Sequence, residues 1–232
     1  MYKYLTFLIL FAIAIPAKAQ LGHNYSQVDI GISGNANIVF GDIQKLRVTP
    51  SGSVSLNYNP HSPFVNYIAE IQFGRLAGGD SVNTSSGREF KNNYVAYIAR
   101  AQVQAGEFYD YSNSQIANFL KNAYLSAGVG LVSNNIVEIS RFTAAEKGYT
   151  SPGKNRSTEF FIPIRAGYEF KLYNAYEEPF FKIDLAYQWN IMTSDNLDGF
   201  DAGQRNDIWG QVSLGIKFAI GSSTSYRKRI PF

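Results

Sequence analysis

Two histidines are the side chains of this chain best suited to acid–base chemistry near neutral pH. His23 and His61 are the only histidines in 232 residues, and the chain has no cysteine. Hydrolytic sites need a histidine beside a nucleophile or a carboxylate. His23 precedes the first predicted strand, and His61 lies in a turn between Pro60 and Pro63. We therefore expect no catalytic site, and without cysteine neither disulfides nor thiolate chemistry is available.

A second candidate for chemistry is an acidic loop near the C-terminus. Asp195, Asn196, Asp198 and Asp201 could together offer oxygen ligands to calcium. Their spacing differs from the D-x-[DN]-x-[DN]-G pattern, and Asx-rich segments commonly form ordinary turns. We therefore expect a loop without metal, and no cofactor.

The remaining charged residues of interest alternate with apolar residues in long segments. Lys182 and Asp184, for example, are interleaved with Phe181, Ile183 and Leu185. Successive side chains of a strand point to opposite faces, so each segment has one apolar and one polar face. The charges predicted to share the polar faces are Asp29, Glu70, Arg100, Arg165, Glu169, Lys182, Asp184 and Lys217. This pattern is typical of strands with lipid on one side and a polar lumen on the other.

Eight such segments follow one another along the chain. They cover about residues 27–40, 48–59, 64–76, 90–106, 121–133, 157–172 and 179–190, with a last strand that ends near residue 218. A helical turn is expected around residues 115–120. The apolar faces end in aromatics, among them Trp189, Trp209 and Phe218. Eight is an even count, so the sequence predicts an eight-stranded antiparallel up-and-down transmembrane β-barrel.

Connection lengths and strand number extend this prediction. The links after strands three, five and seven are long, the longest being residues 134–156, whereas those after strands two and six are short. Long external loops and periplasmic termini are usual for barrels of the Gram-negative outer membrane. Eight strands leave an interior that side chains can fill, and charges of both signs there should pair. We expect a plugged barrel rather than a water-filled pore or an ion path.

The two ends of the chain carry targeting and docking candidates. Lys3, an apolar run over residues 5–15 and the small residues Ala17 and Ala19 form an export signal, with cleavage expected after Ala19. The predicted division is a signal peptide 1–19, a barrel 20–221 and a basic periplasmic tail 222–232. In the tail, Arg227, Lys228 and Arg229 could contact an acidic partner or anionic head groups, or form a solvated end. A net charge of +3 favours no nucleic-acid partner.

Several short motifs resemble those of one known family. They are Asp29-Ile30-Gly31-Ile32 with Phe40-Gly41-Asp42-Ile43, the segments 74–80 and 162–167, Thr193-Ser194-Asp195-Asn196-Leu197-Asp198-Gly199, and Asn206-Asp207-Ile208-Trp209. Together they resemble the PorG-like outer-membrane β-barrels associated with the type IX secretion system, although Arg165 stands where that family usually has glycine. The resemblance implies an outer-membrane barrel whose periplasmic side meets protein components of a secretion complex.

Three functions remain open at this point. The first is a non-enzymatic anchor for a secretion assembly, in contact with outer-membrane lipid and periplasmic proteins and without a small-molecule substrate. The second is a small-solute porin, or a barrel with ligand-binding external loops. The third is a soluble periplasmic lipocalin-like barrel, because alternation does not say which face points inward. Tyrosine and tryptophan at the edges of the apolar faces favour lipid outside.

Overall fold

The computed structural model describes residues 22–41, 43–82, 84, 87–111, 114–141, 152–174, 179–194, 196–200 and 207–227. The predicted signal peptide with its cleavage site at Ala19 lies outside these residues, as do Lys228 and Arg229. Eight strands are present in the described part: β1 Gly22–Phe40, β2 Thr49–Tyr58, β3 Val65–Gly79, β4 Glu89–Gln104, β5 Ala123–Ser140, β6 Arg156–Tyr173, β7 Pro179–Met192 and β8 Ile208–Arg227.

The strands close into one barrel in sequence order. Each strand pairs with the next in antiparallel fashion, and β8 returns to pair with β1 along a ladder from Gly22–Arg227 to Phe40–Ile208. The predicted eight-stranded up-and-down barrel is confirmed. We call the end that holds both chain termini the terminal end and the opposite end the loop end. Which end faces the periplasm stays a prediction.

Three predicted strand boundaries are wrong. β1 was expected to begin near residue 27, but it begins at Gly22. β5 was expected to stop near residue 133, but it pairs with β4 as far as Ser140, opposite Glu89. β8 was expected to end near Phe218, but residues 223–227 pair with residues 22–26 of β1. The predicted tail boundary at residue 222 therefore falls inside β8. The extension of β8 was missed because it is polar, so the period-two contrast between faces disappears there. The extension of β5 was missed because Ile136 and Val137 are adjacent and interrupt the alternation, at a register shift opposite Lys91 and Asn92.

The outer wall of the barrel is apolar. On β7, Leu185 is 49% exposed, whereas Lys182 and Asp184 are 4% and 3% exposed. Ile183 and Tyr187 share the outward side of β7 with Leu185 and are half-buried among wall neighbours. The lipocalin-like alternative, which needs apolar faces inside, is therefore wrong. An apolar wall around a polar interior is the arrangement that a hydrocarbon environment requires.

Aromatic residues border this wall at both ends. The outward face of β7 runs from Phe181 to Trp189, eight residues apart. At about 3.3 Å per residue and a tilt of ~40°, this corresponds to roughly 20 Å of height, near the apolar band of known membrane barrels. Exposed outward aromatics that mark the terminal end are Tyr58, Tyr67, Phe170 and Phe218, and those that mark the loop end are Phe40, Phe73 and Phe160.

The connection between β4 and β5 carries the helical structure of the described residues. A 3-10 turn, Ala105–Glu107, is followed by the helix α1, Gln115–Leu120. Ser114 caps α1, because its side chain accepts a hydrogen bond from the amide of Ala117. The predicted helical turn is confirmed. No helix among the described residues is both long and apolar enough to cross a membrane.

We predict that Leu185→Arg destabilises the barrel in lipid vesicles. The charge would lie midway between the aromatic borders of β7, where arginine on the lipid face costs about 2–4 kcal/mol. Urea unfolding followed by tryptophan fluorescence measures the change. Val82→Arg is the control, because Val82 is exposed in the connection between β3 and β4. Equal stability of the two variants would contradict a lipid-facing wall.

Candidate functional site: the filled interior of the barrel

The structure brings all eight predicted interior charges into the lumen. Each is buried, and together they come from six of the eight strands. Each charged residue occupies an inward-facing position of its strand, and the strand register places these side chains close to one another. Four carboxylates face four cations: Asp29, Glu70, Glu169 and Asp184 against Arg100, Arg165, Lys182 and Lys217.

One half of this interior network is built around two arginines. Arg100 Nη2 forms an ion pair with Glu70 Oε2, and Arg100 Nη1 donates to Gln188 Oε1 at 2.6 Å. Arg165 Nη2 contacts Asp184 Oδ2 at 3.2 Å, while its Nη1 lies 3.9 Å from Glu70 Oε2. Each guanidinium thus has a carboxylate partner in a space with little water, which is the condition for tolerating it there.

The other half is built around lysines. Lys217 Nζ bridges Glu169 Oε1 and Asp184 Oδ2, the latter at 3.1 Å, and so joins the two halves. Lys182 Nζ lies 2.5 Å from Asp29 Oδ2. Arg100 on β4 donates to Gln188 on β7, and Arg165 on β6 lies near Glu70 on β3. The network therefore ties the barrel across its width as well as between neighbouring strands.

Several members of the network were not singled out from the sequence. The hydroxyl of Tyr124 donates to Asp184 Oδ1 at 2.6 Å and accepts from Arg165 Nε at 3.1 Å. Gln104 donates to Glu169, and its own Oε1 accepts from Lys171 Nζ at 2.7 Å. Tyr124 directly precedes Leu125, which was predicted to face outward. The alternation of the strand therefore assigns Tyr124 to the inward face, and this was the signal that could have identified it.

The loop end of the lumen is filled by apolar side chains instead of charges. Trp209 was predicted on the outward face, and this is wrong: it is 0% exposed. Trp209 has the same strand parity as Gln211 and Ser213, so it points inward with them. Its ring lies against Tyr94 and Phe161, with centroids 4.9 Å and 5.6 Å away, and its Nε1 donates to Asn37 Oδ1 at 3.0 Å.

The connection between β7 and β8 closes this apolar plug. Leu197 and Phe200 are buried in the same cluster, and the side-chain Nδ2 of Asn92 donates to the carbonyl of Leu197 at 3.1 Å. Of the acidic residues considered for calcium, Asp198 is buried and its Oδ1 accepts from the Phe200 amide at 3.0 Å. Asp195 and Asp201 lie outside the described residues, and no group of metal-binding side chains is found within the described part.

Aromatic rings close the terminal end. The ring of Phe64 lies 5.5 Å from that of Tyr111 and 6.0 Å from that of Tyr226, centroid to centroid. Burial raises the pKa of the Tyr111 hydroxyl above its usual range. Lys121 Nζ sits over the same ring at 4.7 Å, and burial lowers the pKa of its ammonium. Rings, ion pairs and the apolar plug therefore fill the lumen at three successive levels.

The other predicted site residues do not join this network. The backbone of His23 pairs with Tyr226 in the β1–β8 ladder, and His61 lies exposed in the turn between β2 and β3. Arg227 is the last residue of β8, opposite Gly22. The two other tail residues, Lys228 and Arg229, are outside the described part of the chain.

The closed sheet, the apolar wall and the charged interior define a membrane-spanning β-barrel. No protein-family model matches the sequence, and no curated protein matches it. Solved structures with a similar fold include Neisserial surface protein A at 14% identity and TM-score 0.49, with 84% of this chain and 98% of that chain covered. The attachment invasion locus protein Ail of Yersinia pestis has 15% identity, TM-score 0.45 and the same coverage.

OprG from Pseudomonas aeruginosa is a further similar structure, at 10% identity and TM-score 0.39, with 86% of this chain and 99% of that chain covered. These likenesses to Gram-negative outer-membrane barrels concern the fold alone.

We predict that Glu70 and Arg100 stabilise the barrel only as a pair. Glu70→Leu and Arg100→Met should each destabilise it by about 3–5 kcal/mol, because each leaves a buried charge without its main partner. The double variant should lose much less than the sum. Denaturant unfolding of all four proteins in vesicles completes the cycle.

The control for this cycle is the exposed pair of Lys91 and Glu138. Lys91→Gln should change stability by less than about 1 kcal/mol, since solvent screens exposed pairs. Additive effects of Glu70→Leu and Arg100→Met would contradict the coupling.

Proposed function

We propose that this protein is a non-enzymatic outer-membrane barrel that anchors a protein-secretion assembly of the type IX kind. The observation that carries the anchor role is the filled lumen. Glu70, Arg100 and Asp184 occupy its centre, and Trp209 closes the loop end. A barrel filled with paired charges and rings offers rigidity in the bilayer rather than a route for solutes.

The secretion role rests on the motif resemblance, and the packing at the loop end supports reading the motifs together. A Cβ at Gly41 would collide with Asp207 Oδ1 and lie 2.8 Å from Asp198 Oδ2. Gly78 is similarly tight against Ile43. Four motifs from three separate parts of the sequence thus meet at one place, where glycine is needed for close approach. Their joint occurrence has a structural reason.

In the proposed orientation the terminal end faces the periplasm and the loop end faces outside. Partner proteins of a secretion complex would then approach the terminal end. Arg227, Lys228 and Arg229 are proposed to provide a basic contact for an acidic partner there. The barrel itself would supply a fixed position in the outer membrane.

We predict that the purified barrel shows no steady conductance in planar bilayers at either polarity, because paired charges and rings occupy the lumen. Insertion is checked independently by heat-dependent migration of the folded protein in gels. A porin of similar size serves as the conducting control. A steady open channel would contradict the anchor and favour the small-solute porin.

We predict that Lys228→Gln with Arg229→Gln reduces co-purification of periplasmic proteins from detergent-solubilised membranes while barrel insertion stays unchanged. Truncation after residue 221 is unsuitable, because it would remove the residues of β8 that pair with β1. The matched control is Lys154→Gln with Arg156→Gln, which removes two exposed charges at the loop end. If the unchanged protein, the tail variant and the control recover the same amounts of periplasmic proteins, the tail does not form the proposed contact.

A further inference from the structure

The helix α1 presents its apolar face outward, contrary to the usual arrangement of a surface helix. Ile116, Phe119 and Leu120 have the i, i+3, i+4 spacing of one helix face and are 73%, 53% and 46% exposed. Asn118, on the opposite face, is buried. No charged residue occurs between Ser114 and Leu120. The helix therefore turns a small apolar, uncharged face away from the protein.

This face is continuous with the lipid-facing wall of the barrel. The ring of Phe119 stacks on that of Tyr168, with centroids 4.9 Å apart and planes 25° from parallel. Tyr168 OH also donates to the carbonyl of Phe119 at 2.7 Å. Tyr168 belongs to the outward face of β6, where its ring lies 4.6 Å from that of Phe170. The helix thus extends the aromatic border at the terminal end.

The opposite side of the connection packs on the aromatic rings that close the terminal end of the barrel. The amide of Gly106 donates to the carbonyl of Lys121 at 2.9 Å, which closes the base of the connection. A Cβ at Gly106 would lie 2.5 Å from the Phe64 ring, so the backbone at Gly106 packs directly on that ring. Tyr109 OH donates to the carbonyl of Ala117 at 2.9 Å and holds the helix itself. The apolar face is therefore held in position before any partner arrives.

We propose that α1 is an interfacial membrane anchor, which binds phospholipid at the boundary of head groups and acyl chains on the terminal side. Ile116, Phe119 and Leu120 enter this boundary beside the aromatic border of β6. Continuity with the lipid-facing wall and the lack of charge on the face select lipid over a protein partner. Interfacial helices bind in this manner, with the apolar face submerged and the axis in the membrane plane.

The experiment uses the natural absence of cysteine in this chain. Ile116→Cys and Leu120→Cys are made separately, labelled with an environment-sensitive fluorophore and reconstituted in vesicles of phosphatidylethanolamine and phosphatidylglycerol. Leu185→Cys, on the lipid-facing wall, is the positive control, and Val82→Cys, exposed at the loop end, is the negative control. Parallel samples contain lipid brominated either close to the head group, at the depth expected for α1, or near the middle of the acyl chain, at the depth of Leu185; bromine quenches the label on contact.

We expect blue-shifted emission and loss of intensity on bromination for Ile116→Cys and Leu120→Cys, comparable to Leu185→Cys, and neither for Val82→Cys. A response at both helix sites equal to that of Val82→Cys, with Leu185→Cys still quenched, would overturn the proposal and leave the face to a protein partner. Because Leu185→Cys reports the barrel itself, failure of the helix proposal is separated from failure of the membrane-spanning anchor.

Discussion

Pairing of charge inside a narrow barrel is the constraint on which the rest of this structure depends. Eight strands leave a lumen that side chains fill, so every charge in it loses most of its water and needs a partner. Glu70, Asp184 and Lys217 each meet that need with a partner on a neighbouring strand, and Arg100 also reaches Gln188 across the lumen. A one-residue slip of any of the six strands that contribute a charge would move that charge into lipid and an apolar residue into the lumen. The network therefore specifies register as well as closure.

The interior is layered, and the layers have different consequences. The central charges are all paired, although Asp29 Oδ1 and Arg100 Nε have no hydrogen-bond partner among the described residues. The loop end is packed with apolar side chains around Trp209, and the terminal end is closed by Phe64 and Tyr111. Charged, aromatic and apolar side chains thus occupy the interior of the described barrel from one end to the other. Interactions with other molecules are consequently expected at the two ends and on the wall. The proposed functions lie there: a basic contact in the tail, and α1 at the membrane boundary.

The motifs that prompted the family resemblance have a packing explanation. Gly41 and Gly78 admit Asp207 and Ile43 at distances that a side chain would prevent. These residues form the packing at the loop end of the barrel, and their packing role does not identify a partner. A fold and its packing motifs can be shared by barrels with different roles, so function depends on surfaces outside the motifs.

The sequence by itself determined the strand number, the alternation and the set of charges that share one face, because period two in a strand assigns each side chain to one of two faces. It did not decide which face was inside; that follows only when eight apolar faces surround a lumen too narrow to hold them. The end of β8 was missed because its polar residues give no contrast between faces, and the end of β5 because Ile136 and Val137 interrupt the alternation. Trp209 was misplaced although its parity with Gln211 and Ser213 assigns it to the inward face. Only tertiary structure joined Arg100 to Glu70, or set Phe119 on Tyr168, because such contacts depend on register and on the path of a connection that no local pattern encodes.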